Sequence, residues 1–409
     1  MFKREQSKNN SNRLNNNFKN KDEKMTIIKN PLDKYLLGAI LFLVVFGLVL
    51  LFSASLVTAH SNTGNAYHYI KGQLIPLFLG LIFLFLLSKI DYHFFRKYSF
   101  IFLILAFISL ILVFIPGLSA KHGTSRSWIV IFGQSLQPAE FMKLFLIFYL
   151  SAWVESRKDD LKVFVTGFLP FLLVMFLIAF LLLKQPDLGT FILVFIIALS
   201  IYFVAEGNMK QIVILSLILL TGVIYVFAQA EKQESSGIVK EYQLNRVRCL
   251  QDPDFDRDAC YQVNQSLIAV GSGGLFGLGL GNSRQKFNYL PEVWADSIFP
   301  VIAEELGFVG AILLILIYLF IFIKGMTIAR RAPDMYGRSL AVGISVWIFF
   351  QAFLNIAGMI NLVPMTGVPL PFVSAGGSSL LILLASCGVL LNISRQGVYY
   401  NNKKVKRIN

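Results

Sequence analysis

Residues 36–57 read LLGAILFLVVFGLVLLFSASLV, a run with no charged residue and only two hydroxyls, Ser53 and Ser55. A stretch of about 18 or more apolar residues is long enough to cross the roughly 30 Å hydrocarbon layer of a bilayer as a helix. Runs of the same kind recur at 70–88, 98–116, 138–154, 163–183, 188–206, 211–229, 298–323, 338–361 and 377–394. Barrel strands would be shorter and would alternate polar with apolar residues. Pro76 and Pro170 fall inside runs, which membrane helices tolerate better than soluble ones. The whole chain agrees with this reading: of its 409 residues, 56% are hydrophobic and 15% charged, with a mean hydropathy of +0.66. A soluble protein of this length would bury its apolar residues in one or two cores under a charged surface. The expected fold is an all-α polytopic membrane protein with about ten transmembrane helices.

Charge placement gives an orientation. The formal net charge is +14, a balance that can also mark a nucleic-acid binder. Here, however, most of the basic residues lie before span 1, between spans 2–3, 4–5, 6–7 and 8–9, and after span 10. Lys89, Arg96, Lys97, Arg157, Lys158, Arg330, Arg331, Lys403, Lys404, Lys406 and Arg407 are among them. Basic loops stay in the cytoplasm, so both termini are expected inside and no nucleic-acid partner is implied. Residues 1–32, rich in Asn and Lys, read as a disordered basic cytoplasmic tail. Residues 33–395 form the membrane domain, and 396–409 a second basic tail; such tails touch anionic lipid. The opening stretch lacks the apolar core and cleavage site of a secretory signal.

The outer side then carries three longer segments: 58–69, 117–137 and a large extracytoplasmic loop, 230–297, between helices 7 and 8. Loops this long are usually functional or disordered. The last holds QSLIAV at 265–270, GSGGLFGLGLG at 271–281 and NYLPE at 288–292. It is expected to form amphipathic helices on or in the membrane surface, with glycines permitting tight turns. Of three cysteines, Cys387 reads as a packing residue in the last span. Cys249 and Cys260 share the outer loop. In an oxidising compartment they could bridge, closing a short loop worth roughly 3 kcal/mol.

Ionisable residues at membrane depth are functional candidates by default. KQPDLGT at 184–190 makes a very short outer turn, with Asp187 at the start of a helix. Asp187 is either a helix cap or a general base facing a cavity, and the two roles shift its pKa in opposite directions. QPAEFMK at 137–143 opens span 4; Glu140 and Lys143 share a helix face, as a structural ion pair or as groups that position substrate or Asp187. Arg126 and Trp128 suit an anionic head group at the interface, or a simple interfacial anchor.

Several chemistries are excluded. There is no H-E-x-x-H, G-x-S-x-G, Walker A or dinucleotide fingerprint. Ser283-Arg284-Gln285-Lys286 matches S-x-x-K, but no K-T-G accompanies it. Any driving force must come from substrate or gradient.

These motifs, in this order, resemble the SEDS family of cell-wall glycosyltransferases. The resemblance covers roughly 33–395. It rests on Arg126…Trp128, Gln137-Pro138-Ala139-Glu140…Lys143, Gln185-Pro186-Asp187-Leu188-Gly189-Thr190, Gln265-Ser266…Gly271-Ser272-Gly273-Gly274, Tyr289-Leu290-Pro291-Glu292 and PLPFVSAGGSS at 369–379. The division-type FtsW branch is nearer than the rod-shape RodA branch, through Gly281-Asn282-Ser283 and Gln285-Lys286-Phe287. The resemblance implies polymerisation of lipid II, the undecaprenyl-pyrophosphate-linked disaccharide-pentapeptide, outside the bacterial cytoplasmic membrane. Asp187 matches the family's essential aspartate, with the implied role of deprotonating the acceptor 4-hydroxyl in an inverting transfer. Arg126, Arg246, Arg248 and Lys286 are the outer-face cations for the departing pyrophosphate.

Trp128, Gln137, Glu140, Lys143, Gln185, Gln265, Ser266, Glu292, Asp296, Ser374, Gly376, Gly377 and Ser378 complete the implied substrate-binding set. No cofactor motif is present. A divalent cation, Mg or Mn, could bind through phosphate oxygens. The implied partners are a class B penicillin-binding transpeptidase and other membrane proteins of the division machinery. Trp294-Ala295-Asp296-Ser297 departs from the family's His-Thr-Asp-Phe, keeping only the aspartate. Pro300 and Ala375 also depart. The competing readings are a lipid II flippase, which would need alternating access often built from repeats, and a non-catalytic scaffold of the division machinery.

Overall fold

The computed structural model describes residues 27–29, 31–116, 119–122, 125–131, 134–158, 160–231 and 241–398. Its helices are α1 Lys34–Thr63, α2 His68–Leu87, α3 His93–Lys97, α4 Ser99–Leu112, α5 Pro138–Ser156, α6 Leu169–Lys184, α7 Leu188–Val204, α8 Met209–Glu231, α9 Glu241–Gln251, α10 Tyr261–Ser272, α11 Ile298–Arg331, α12 Met335–Met359 and α13 Gly377–Arg395. A π-helical turn, Phe164–Phe168, leads into α6. Each of the ten apolar runs falls on a helix. Among the described residues, seven helices are long and apolar enough to cross a membrane; α4 and α7 are apolar but shorter. Helix α5 has the length but carries Glu140, Lys143 and Glu155.

The bundle is apolar inside and out. Helices α12 and α13 form its centre, each 83% buried along its most apolar stretch, against 12% for α8. Phe78, Phe100, Phe176 and Phe308 are more than 60% exposed on the periphery, which suits lipid rather than water as the surrounding solvent. Helix α2 packs closely on α13. A methyl group on Gly388 would lie 2.6 Å from the Leu84 carbonyl, so only a residue without a side chain lets these backbones approach.

Three features depart from the sequence expectation. The segment 117–137 is not plain loop. It holds an antiparallel sheet of β2 Ser119–His122, β3 Ser125–Ile131 and β4 Gln134–Leu136, in the order β2-β3-β4. The β-branched and aromatic residues of Trp128–Ile131 favour that state. The two tails are also joined: β1 Ile27–Lys29 pairs antiparallel with β5 Gln396–Val398, so the tails assigned to 1–32 and 396–409 each contain a strand. The rest of both tails, 1–26 and 399–409, lies outside the described residues.

Third, α11 is broken at Gly307, where φ is 69° and ψ is −170°. The glycine-rich run docks into this break. Leu278 and Gly279 donate their N–H groups to the carbonyls of Glu304 and Glu305, while Phe308 and Val309 donate to Gly274 and Leu275. A broken helix at membrane depth must have its freed backbone groups satisfied by other protein, and this run does so. Amphipathic helices form on either side of the 252–260 turn, as α9 and α10, but the glycine run itself is a docked segment.

Candidate functional site

The site is built from Asp187. Helix α6 ends at Lys184 and α7 begins at Leu188, with Asp187 as its cap. Asp187 Oδ1 accepts from the Thr190 N–H at 3.0 Å, and Oδ2 from the Thr190 hydroxyl at 2.9 Å. The capping role is thus realised, and the carboxylate stays half-buried. Gln185 Nε2 donates to the Leu110 carbonyl at 2.8 Å, which fixes the turn to α4. Ser127 on β3 lies beside it, its hydroxyl 3.5 Å from the Gln185 carbonyl.

The segment between α12 and α13 crosses this turn, with Gly189 packed on Thr366 and Val368. Beyond Gly367 stand Arg246 and Asp296. A carbon placed on Gly367 where a side chain would start lies 3.8 Å from both Arg246 Nη2 and Asp296 Oδ2. The two charges therefore lie close together on the same side of Gly367. Arg246 Nη1 also donates to the Met365 carbonyl at 2.9 Å, and its guanidinium lies 5.5 Å from the centre of the Tyr242 ring. Tyr242 Oη donates to the Pro186 carbonyl at 2.6 Å. Asp296 Oδ1 is buried without a close hydrogen-bond partner, while Ser297 and the local backbone donate weakly to the carboxylate. Burial pushes the Asp296 pKa above its ordinary value, and the Arg246 guanidinium pulls it back only in part. Asn355 holds this wall together, donating to the carbonyls of Asp296 at 2.8 Å and Val368 at 2.9 Å. Glu292 is exposed nearby with φ 51°.

Beneath lies a buried polar layer. Lys143 Nζ is 2.8 Å from Glu140 Oε1 and 2.7 Å from Gln351 Oε1, and lies 4.8 Å from the centre of the Trp347 ring. Ser379 donates to Glu140 Oε2 at 3.2 Å. The ion pair anticipated from the three-residue spacing is therefore present.

Other residues expected to bind substrate make hydrogen bonds or packing contacts within the protein. Ser374 Oγ accepts from the Leu370 N–H at 2.9 Å. Gln73 donates to the Ser374 carbonyl at 3.1 Å and accepts from the Gly376 N–H at 3.3 Å. Ser378 Oγ accepts from the Gln137 N–H at 3.1 Å, Gly377 packs on Pro76, and Ser266 Oγ donates to the Gln262 carbonyl at 2.7 Å. Gln265 is half-buried on α10.

Lys286 belongs to a separate buried cluster. Its ammonium contacts Glu305 at 2.8 Å, the Gly281 carbonyl at 2.6 Å and Ser53 at 3.2 Å. It is 4% exposed, so its charge is spent on Glu305 rather than turned to an open cavity. Arg248 bonds the Ala230 carbonyl at 3.0 Å and Asn245 at 3.1 Å; two residues on from Arg246, it points elsewhere on the helix. Trp128 is half-buried, opposite Ala120 in the sheet. Arg126 lies on β3, with its side chain outside the described residues. Cys249 and Cys260 are joined by a disulfide, Cα to Cα 5.4 Å. Among the described residues no cluster of three or more His, Cys, Asp or Glu side chains is placed to hold a metal ion.

Sequence reasoning missed Tyr242, Gln73, Gln351 and Asn355. The last two carried a signal: they are polar, one turn apart and inside an apolar run. It also did not anticipate that Trp294, which replaces the family's histidine, stacks on Tyr69 with ring centres 4.5 Å apart. The Trp294 carbonyl accepts from the Ala375 N–H at 2.7 Å, so two of the departing positions support each other.

A family model described as "Cell cycle protein", covering FtsW, RodA and SpoVE, matches residues 34–399. Stage V sporulation protein E of Bacillus subtilis is 39% identical over 376 residues, spanning 92% of this chain and 100% of that protein. The probable peptidoglycan glycosyltransferase FtsW of the same organism is 38% identical over 390 residues, spanning 93% and 95%. Among solved structures, a chain from a peptidoglycan synthase complex superposes with a TM-score of 0.70 at 25% identity, covering 89% of this chain and 98% of that one. Rod shape determining protein RodA of Thermus thermophilus superposes with a TM-score of 0.62, also at 25% identity, covering 89% and 97%. The chain is a multi-pass membrane protein and belongs to the FtsW, RodA and SpoVE family of cell cycle proteins, the SEDS family.

Proposed function

We propose that this chain is a peptidoglycan glycosyltransferase that polymerises lipid II at the outer face of the bacterial cytoplasmic membrane during division. The basic loops favour cytoplasmic termini, which puts the Asp187 and Asp296 end outside. The relative named a peptidoglycan glycosyltransferase, similar over nearly its whole length, supports the activity. The observation that carries the chemistry is the pair Asp296 and Arg246, close together on one side of Gly367. Asp296 stands beside the Arg246 guanidinium, a cation suited to the leaving pyrophosphate, whereas both oxygens of Asp187 are turned to Thr190 in capping α7. We therefore assign the base to Asp296 and a positioning role to Asp187.

The acceptor 4-hydroxyl gives its proton to Asp296, and its oxygen attacks the donor's anomeric carbon, which inverts. The bond to undecaprenyl pyrophosphate breaks, and Arg246 stabilises the charge that develops on the leaving group. The leaving group supplies the free energy, so no nucleotide is needed. The described residues hold no cluster of three or more His, Cys, Asp or Glu side chains placed to hold a metal ion, and a Mg or Mn ion would be bound largely through the phosphate oxygens of lipid II. The similarity to a chain of a peptidoglycan synthase complex supports a class B penicillin-binding transpeptidase as partner; other division-machinery proteins are further proposed partners.

The test is purified protein with its partner and lipid II. Glycan strands are expected. Lipid II that crosses a liposome bilayer without polymerising would replace the enzyme reading with a flippase.

A further inference from the structure

Helix α9 reaches the site with one face and is fastened by the others. Tyr242 and Arg246 are one turn apart, so they share a face. Leu244 and Val247 are buried against Phe227 and Ala230 of α8. At the far end Cys249 is bridged to Cys260, both of them buried. Cys260 immediately precedes α10, which packs on α11. Asn361 adds a hydrogen bond to the Cys249 carbonyl at 3.3 Å. At the near end, Tyr242 Oη holds the Pro186 carbonyl at 2.6 Å.

Pro186 has no N–H of its own to stiffen the turn, so this bond is a direct restraint on the residue before Asp187. Burial raises the Tyr242 pKa, so the phenol keeps its proton and remains a donor. The same bond fixes the helix that carries Arg246, whose guanidinium lies 5.5 Å from the Tyr242 ring centre, and a group at the reacting centre displaced by about 1 Å can cost up to 10²-fold in rate.

We propose that Tyr242 is a positioning residue for lipid II polymerisation, and that the Cys249–Cys260 bridge holds its helix in register, so that full activity follows oxidation of the two thiols. The proposal rests on the glycosyltransferase reading above. Each thiol gives up its proton, and together they give up two electrons to the disulfide of a thiol-oxidising protein, which leaves as a dithiol. A disulfide-exchange reaction must therefore precede this chain's full activity.

The experiment compares wild type, Tyr242→Phe and Cys249→Ser/Cys260→Ser in lipid II polymerisation. Each folded protein is assayed before and after reduction, with free thiols counted by mass spectrometry. Tyr242→Phe is expected to lose about tenfold in kcat, with KM and thermal midpoint unchanged. Reduction slows wild type several-fold but adds little to Tyr242→Phe, because both perturbations release the same contact. Tyr242→Phe turning over at the wild-type rate would overturn the proposal. So would reduction that slows wild type and Tyr242→Phe by the same factor, the result of a merely structural bridge. A wild type that forms no glycan while oxidised overturns the glycosyltransferase reading itself.

Discussion

Replacing Lys143 by Met should destabilise the protein far more than replacing Lys143 and Glu140 together. The two side chains are 0% and 2% exposed and 2.8 Å apart. Lys143→Met leaves the Glu140 carboxylate buried, with the Ser379 hydroxyl at 3.2 Å as its one other hydrogen-bond partner among the described residues. Removing one partner of a buried pair costs about 3–5 kcal/mol. In Glu140→Leu/Lys143→Met no charge is stranded. The remaining losses are one donor to Gln351, which keeps the Trp347 N–H at 2.7 Å, and one acceptor for Ser379, each worth about 1 kcal/mol. The difference of about 1–3 kcal/mol, at an unfolding entropy of about 2.1 cal/mol/K per residue, corresponds to a drop of roughly 1–4 °C in melting temperature for the single variant relative to the double. Thermal unfolding of the detergent-solubilised proteins reads this directly. A single variant that melts with wild type, or a double variant as unstable as the single, would refute the reasoning. The double variant also separates structure from function: if the Lys143 charge positions Asp187, it stays folded and loses polymerisation.

Activity should require Asp296 ionised. Because burial raises its pKa, the acid limb of the pH–rate profile should lie above that of an ordinary aspartate, with activity lost as pH falls through it. Arg246 holds that pKa down in part, so Arg246→Gln should move the limb to higher pH; a limb that does not move contradicts the pairing. Cys249→Ser/Cys260→Ser should cost about 3 kcal/mol of stability, the loop-closure value for a loop this short, and an unchanged melting temperature would contradict it. Gly307→Ala should destabilise by more than the roughly 1–2 kcal/mol of a left-handed conformation, because its methyl group would lie 2.3 Å from the Gly277 nitrogen. A normal yield of folded protein from that variant would show that the helix break is not fixed.

The apolar helices were legible because a bilayer demands long unbroken apolar runs, and 36–57 is such a run in its purest form. The turn at Asp187 was legible too, since its residues are contiguous. Its neighbours were not. Tyr242, Arg246 and Asp296 come from segments about fifty to one hundred residues further along the chain, and nothing in local pattern says which of them meets Pro186 or Gly367. Lys286 shows the same limit: its positive charge suggested a phosphate contact, but Glu305 had already claimed it. The break in α11 was hidden inside an apolar run, and its only sign was the pair Glu304 and Glu305 just before Gly307. The sheet at 119–136 escaped because two of its strands are only four and three residues long and lack β-favouring runs, leaving Trp128–Ile131 as the one local signal.

The assignment of the base is tested most directly by measuring lipid II polymerisation by Asp296→Asn and Asp187→Asn, each purified with the transpeptidase partner and shown to be folded. With Asp296 as the base, Asp296→Asn forms no glycan strands, and Asp187→Asn, which keeps a capping side chain, retains a measurable part of the wild-type rate. Polymerisation by Asp296→Asn at the wild-type rate, with none by Asp187→Asn, would contradict the account and return the proton to Asp187.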